Sequence, residues 1–461
     1  MRNASLAPAA SGYVQGLSGP VTQVSMNQMT MTLFGLFIYL FCVHSFKLPL
    51  ASLGIAIGVL GVMARPNEMT FPAPVLWFGT WLLWCTITGV TSPFPSAVND
   101  SLIEYLKMFL IFFVAINAAR TMSQLAIFIG TWVLLFGLYP VRGTYLNFLI
   151  GAGTFGRYAW NFTFANYNDL ASYAILVLAM SAFLLAGRYD RWIRIAAFLG
   201  AGSLSLLIIL TQSRGAFLGL SLGFLLMLLR SRSRAKILRF GALASLAVVL
   251  VAPGDVWERF SRMKYLSSTE TIAEADGSAD QRYTLLQVGY AIAKSNLVKG
   301  VGLGAYPNAH GIYAEERDEW RHGRGNRDTH NLYLNLVAET GIPGAFLFIG
   351  ILTSTLLFAA KVERRLRITM HVEAEQLRIL RFGLIAYLIA AIFGTFHRVS
   401  FLYLYLAVLW SAATIFASKL TSSGTGSGPG AIASPIERHL RGMTSLRGRV
   451  TRTRRPDLSR L

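Results

Sequence analysis

Long apolar runs recur from one end of this chain to the other, and no other feature limits its fold as tightly. Stretches such as "LAIFIGTWVLLFGLYPV" at 125–141 and "FLYLYLAVLWSAATIFA" at 401–417 carry no charge at all. A helical crossing of a bilayer needs about 20 such residues. Runs of this kind are centred near residues 38, 56, 81, 112, 131, 178, 201, 222, 245, 351, 388 and 409, which predicts about twelve spans. The run near 112 is trimmed by Lys107 and Asn117. Only 14% of the residues are charged and the mean hydropathy is +0.50, a balance that a soluble protein of this length could not bury. The expected fold class is therefore all-α, a polytopic membrane protein with about 12 transmembrane helices.

Residues 1–28 are polar and lack an apolar core, so the first span is expected to insert uncleaved. Cys42 and Cys85 both fall inside apolar runs, which suggests neither a disulfide framework nor a metal site. The net charge of +20 raises the question of nucleic acid, but its distribution argues for a membrane instead. Arg65, Arg120, Arg188 to Arg194, Arg230 to Arg239 and Lys361 to Arg381 occupy alternate connections, the pattern that marks the cytoplasmic side. Both termini are then cytoplasmic. The organisation expected is a tail at 1–28, nine spans over 29–252, a large periplasmic loop at 253–329, three spans over 330–420, and a disordered basic tail at 421–461. That tail ends "RGMTSLRGRVTRTRRPDLSRL" and suits either contact with anionic lipid or a solvated topology anchor.

The 253–329 connection is longer than two helices need. Within it Ser278 to Gln281 has the form of a capping box, opening an amphipathic helix from about 280 to 296 with Tyr283, Leu285, Leu286 and Ile292 on an apolar side, laid along the membrane surface. Gly300, Gly302 and Gly304 follow and could form a backbone anion nest. Three residues carry candidate chemistry. His330 stands at the lip of an apolar helix in "NRDTHNLYLNLVAETGIPG", with Leu334 and Val337 on its face; there it either accepts a proton or caps a loop carbonyl. Arg214, in "TQSRGAFLG", interrupts two apolar runs, which is costly unless it meets an anion, faces water or snorkels to headgroups. Arg282, in "ADQRYTLLQ", opposes the dipole of its helix from the first turn. All three map to the outer side, where arginines suit a diphosphate. The acids and histidines of the outer loop lack zinc-site spacing, so no metal is expected.

These stretches resemble the bacterial O-antigen ligase and polymerase family of membrane glycosyltransferases. The likeness rests on "SRGAFLG" at 213–219, "QRYTLLQVGYAIAKSNLVKGVGLGAY" at 281–306, "HNLYLNLVAETGIPG" at 330–344 and "ANYNDLA" at 165–171. It implies an inner-membrane enzyme that moves a glycan from undecaprenyl diphosphate to an acceptor hydroxyl on lipid A-core, polysaccharide or protein, without metal or other cofactor. It implies that Arg214 and Arg282 hold the donor diphosphate and that His330 activates the acceptor, with Asn168, Gly302, Gly304 and Asn331 in support. The single long loop before His330 is more similar to ligases than to polymerases, and the Asn168-Asp169-Leu170-Ala171 pattern resembles that of ligases associated with exosortase and exopolysaccharide systems. Polymerase and protein O-oligosaccharyltransferase stay open. A lipid-linked glycan flippase or transporter is the alternative of another class.

Overall fold

The computed structural model describes residues 22, 24, 29–45, 50–154, 156–160, 164–230 and 277–424. Among them every named element is helical. The run centred near 245, the basic residues 231–239 and the tail beyond Gly424 lie outside the described residues, as does most of the 1–28 tail.

The helices are α1 (Met31–His44), α2 (Ala51–Met63), α3 (Ala73–Gly89), α4 (Pro95–Ala118), α5 (Met122–Phe136), α6 (Arg142–Leu149), α7 (Tyr167–Ala186), α8 (Arg191–Thr211), α9 (Arg214–Arg230), α10 (Gly277–Ser295), α11 (Tyr306–Glu315), α12 (Leu332–Thr369), α13 (His371–Ala390) and α14 (Ser400–Gly424). Several begin at a polar residue whose side chain accepts an otherwise orphaned first-turn N–H. Thr30 caps α1, Thr121 and Gln124 form a reciprocal capping box on α5, Asn166 caps α7 and Asp190 caps α8.

Among the described residues seven helical segments are long and apolar enough to cross a membrane: α4, α5 with α6, α7, α8, α12, α13 with its short extension, and α14. Every predicted centre except that near 245 falls on a helix, but α1 and α2 have only 14 and 13 residues. At about 1.5 Å per residue they reach roughly 20 Å, short of a hydrocarbon core about 30 Å thick. A π turn at Gly137–Val141 absorbs Pro140, whose ring supplies no N–H, and α6 carries the helix on to Leu149.

At the centre of the bundle, α14 is apolar on all sides. Leu402 through Leu409 are all 0% exposed, as a helix surrounded by others requires. The longest helix, α12, is broken at Gly341, whose φ of 69° and ψ of 177° are not helical. A Cβ there would strike the Val298 carbonyl, so only glycine fits. The groups freed by the break find partners: the Trp84 indole donates to Thr340 O at 2.9 Å, and Ile342 N–H donates to Leu297 O at 2.7 Å. The expected Gly341–Gly344 bend is thus a break with its own hydrogen bonds.

The helices α10 and α11 and a 3-10 turn at Asp318–Gly323 form a small module with its own core. Val288, Ile292, Val301, Tyr306, Ala309 and Trp320 pack there with Val98 of α4 and Ala338 of α12. This corrects the reading of α10. Ile292 faces this core at 0% exposure and Leu285 is buried at 3%, whereas Tyr283 and Leu286 are 64% and 39% exposed, so the four residues do not share one side. The helix also begins at Gly277, which leaves Arg282 in the second turn, where the dipole is weaker. The side chains of Ser278 and Gln281 lie outside the described residues.

At the opposite end, Thr22 N–H donates to Arg188 O at 2.7 Å, setting the segment before α1 beside a basic connection. There too the fully buried Glu363 receives Arg367, Arg378 at 3.0 Å and Arg381 at 2.5 Å. That cluster ties the end of α12 to the start of α13.

Candidate functional site

His330 does not begin its helix. Asn331 is the N-cap of α12 and its side chain accepts from Tyr333 N–H and Leu334 N–H, both at 3.0 Å. His330 sits just outside with φ of 49°, a left-handed conformation that costs a residue with a Cβ about 1–2 kcal/mol. The flanking chain holds it there. Thr329 Oγ1 donates to Asn331 O at 2.9 Å and receives Asn331 N–H at 3.1 Å. The first turn of α12 is thereby sealed by Asn331, and the imidazole is aimed by backbone rather than by helical periodicity with Leu334.

Three charged residues set the surroundings of the ring. Burial pushes the His330 proton affinity below the ordinary histidine value; Asp328 opposes that shift, and Arg282 and Arg327 add to it. The structure therefore brings Arg282 of α10 and His330 into electrostatic reach across 48 residues of sequence. Neutral imidazole, the form able to take a proton, is favoured.

Arg214 opens α9, directly after Gln212, which has φ of 49°, and Ser213. Gln212 Nε2 donates to Gly156 O at 2.6 Å, pinning the turn to the segment after α6. Asn168 joins this turn to α7: its Oδ1 accepts from Ser213 Oγ at 3.0 Å and from Arg157 Nη2 at 2.9 Å. Arg157 also donates to Thr211 O at 2.9 Å and lies over the Tyr167 ring. Next to Asn168, Asp169 lies within electrostatic reach of Asp328. The link from Arg214 to His330 thus runs through Ser213, Asn168, Asp169 and Asp328.

The glycine loop has a different occupant from the one its composition suggests. Gly300, Gly302 and Gly304 have φ of 69°, 110° and 76°, and a Cβ at the latter two would meet Ser92 and Ser101. Their backbone turns around the protein's own Glu339. Gly302 N–H donates to Glu339 O at 3.0 Å, and the N–H groups of Gly304 and Tyr306 point at its carboxylate, the latter at 3.4 Å. Gly302 and Gly304 hold a buried internal anion and let the loop approach α3 and α4 closely.

Sequence reasoning missed the cation that completes this arrangement. Arg398, in the turn Phe396–Arg398 between α13 and α14, lies 2.6 Å from Glu339 Oε1 and 3.0 Å from Asp328 Oδ1. Its signal was available: an arginine set between two apolar runs, the same criterion that singled out Arg214. Among the described residues no group of three or more His, Cys, Asp or Glu is placed to hold a metal.

No curated protein matches the chain at a significant level. Residues 199–349 match the family model described as O-antigen ligase, a stretch that runs from within α8 into α12 and takes in Arg214, Arg282, Gly302, Gly304, His330 and Asn331. On this match residues 199–349 are similar to the O-antigen ligase family of glycosyltransferase-like enzymes, within a chain that has several helices long and apolar enough to cross a membrane.

Proposed function

We propose that this protein transfers a glycan from undecaprenyl diphosphate to an acceptor hydroxyl at the periplasmic face of the bacterial inner membrane. The observation that carries the reading is the pairing of His330 with Arg282: a half-buried imidazole favoured in its neutral form, in electrostatic reach of a guanidinium from a distant helix. The acceptor oxygen attacks the anomeric carbon as its proton passes to His330. The bond from that carbon to the diphosphate oxygen breaks, and the diphosphate leaves with the electron pair. Arg282 and Arg214 neutralise the charge that grows on it. The shape of a planar guanidinium suits paired phosphate oxygens, and the chemistry as written uses no metal. Asn168 and Asn331 serve by holding the Arg214 turn and the His330 turn in place.

Ligase action is favoured over polymerisation by the single large connection that precedes His330. The test is transfer by the purified full chain in lipid vesicles, supplied with a synthetic undecaprenyl-diphosphate glycan and a panel of lipid, polysaccharide and peptide acceptors. A new glycoconjugate with release of undecaprenyl diphosphate, lost in His330→Ala, is expected. Movement of intact donor across the vesicle without any product would replace the reading with transport.

A further inference from the structure

We infer that Arg398 is a positioning residue for His330, acting as a clamp that draws Asp328 and Glu339 together and so fixes the turn on which the histidine stands. This rests on the transferase reading given above. The left-handed backbone at His330 is unfavourable, so the surroundings must over-determine it. On its downstream side Asn331 caps α12. On its upstream side the only ion pair of Asp328 among the described residues is with Arg398. Asp328 Oδ1 is not aligned as a hydrogen-bond acceptor in that pair, so the tether is electrostatic.

Arg398 can act as a fixed post because its own turn is pinned. Phe396 O accepts Tyr387 OH at 2.8 Å, and His397 O accepts Tyr403 OH at 2.9 Å. Its second carboxylate, Glu339, is 0% exposed on α12, two and a half turns below His330 and embraced by the glycine loop. One guanidinium thus joins the His330 turn, the upper half of α12, the glycine loop and the α13 to α14 turn.

Stability alone does not account for such an arrangement. Buried ion pairs exchanged for apolar residues of similar volume are often neutral or better. Here the polar groups are also poorly satisfied: Arg398 Nε, Glu339 Oε2, both His397 ring nitrogens, both Asn335 amide atoms and Tyr306 OH are buried without hydrogen-bond partners. A cluster this costly is one that fixes geometry.

The test uses full chain in lipid vesicles and reads His330 directly, as the pH dependence of its modification by diethyl pyrocarbonate, resolved by peptide mass spectrometry. The charged groups facing His330 are Asp328, Arg327 and Arg282; those facing Asp328 are Asp169 of α7, Tyr306, His310, Glu339 and Arg398. Arg398 is not among the groups that set the titration of His330, so a change there on its removal must come through displacement of Asp328 or of the turn. Because Arg398→Met would strand a buried carboxylate, the informative variant is Glu339→Gln with Arg398→Met, compared with Glu339→Gln alone. The double variant should titrate His330 at higher pH, since freed Asp328 can turn to the imidazole. It should also lose transfer by about 10²-fold at similar donor KM, the cost typical of a misplaced group. Glu339→Gln alone should leave the His330 titration in place. If the double variant only melts earlier, with His330 titration and transfer per folded molecule as in wild type, the inference is overturned. If wild type forms no glycoconjugate from the donor, the transferase reading falls instead, while the labelling result still decides whether Arg398 positions the turn.

Discussion

Replacing His330 by glycine separates the strain of the turn from its chemistry, because the two are expected to move in opposite directions. With φ of 49°, any residue with a Cβ pays about 1–2 kcal/mol for the left-handed conformation. Glycine escapes that cost but gives the unfolded chain about 0.4–1 kcal/mol of added freedom. Against His330→Ala, which keeps the strain, His330→Gly should be more stable by about 0.5–1 kcal/mol. The flanking bonds between Thr329 and Asn331 do not involve the imidazole, so the turn should persist. Transfer should fall in both by about 10²–10⁴-fold, which is a barrier increase of about 2.7–5.4 kcal/mol at 1.36 kcal/mol per tenfold. His330→Asn, whose side chain tolerates this conformation, should resemble glycine in stability and alanine in activity. The assay pairs apparent melting midpoints in one detergent with transfer from the synthetic donor. A glycine variant that melts below the alanine variant would refute the backbone argument, and one with transfer within tenfold of wild type would remove His330 as the base.

Transfer by wild type should rise with pH and reach half its plateau below about pH 6.5, the ordinary histidine value. The sign follows because burial lowers the proton affinity of His330 and only neutral imidazole accepts a proton; a midpoint at or above 6.5 in a pH-rate profile would contradict it. Arg214→Lys should be nearly as harmful as Arg214→Ala, since an ammonium lacks the fork that meets paired phosphate oxygens, and full transfer by the lysine variant at equal protein level would remove the donor-binding role. Glu363→Gln leaves Arg367, Arg378 and Arg381 crowded without their anion, so it should lower stability by about 3–5 kcal/mol while transfer per folded molecule stays near wild type; an unchanged melting midpoint would show that cluster to be dispensable.

What the sequence disclosed was whatever depends on near neighbours. The helix stop at Gly341-Ile342-Pro343-Gly344 could be read because positive φ and a missing N–H are properties of the residues themselves. The turn at His330 was half legible. Its place at a boundary showed, but Asn331 as the cap moves the helix start two residues on, so periodicity with Leu334 was the wrong guide. For α10 the apolar residues were counted correctly and assigned wrongly. Ile292 belongs to the core with Val98 and Ala338, contributed by α4 and α12, and nothing local announces a partner so far away. Arg398 is the extreme case, because its carboxylates lie 59 and 70 residues upstream. The short helices α1 and α2 show a further limit: hydropathy locates an apolar centre but not how many residues are helical around it.

The glycine loop shows why charge signals in such a chain are ambiguous in one particular way. Glycines with positive φ can present N–H groups to an anion, and at the sequence level a phosphate and a carboxylate of the same chain are equivalent guests. What decides is whether an acid elsewhere can reach the loop without being hydrated. Glu339 can, because it lies on the buried face of α12 just above the break, at 0% exposure, where an unpaired carboxylate would be prohibitive. It therefore takes both the loop N–H groups and Arg398. The loop spends its donors on the scaffold, and the role of Gly302 and Gly304 becomes mechanical. They carry α11 against α4 and hold the acid to which the clamp on the His330 turn is fastened.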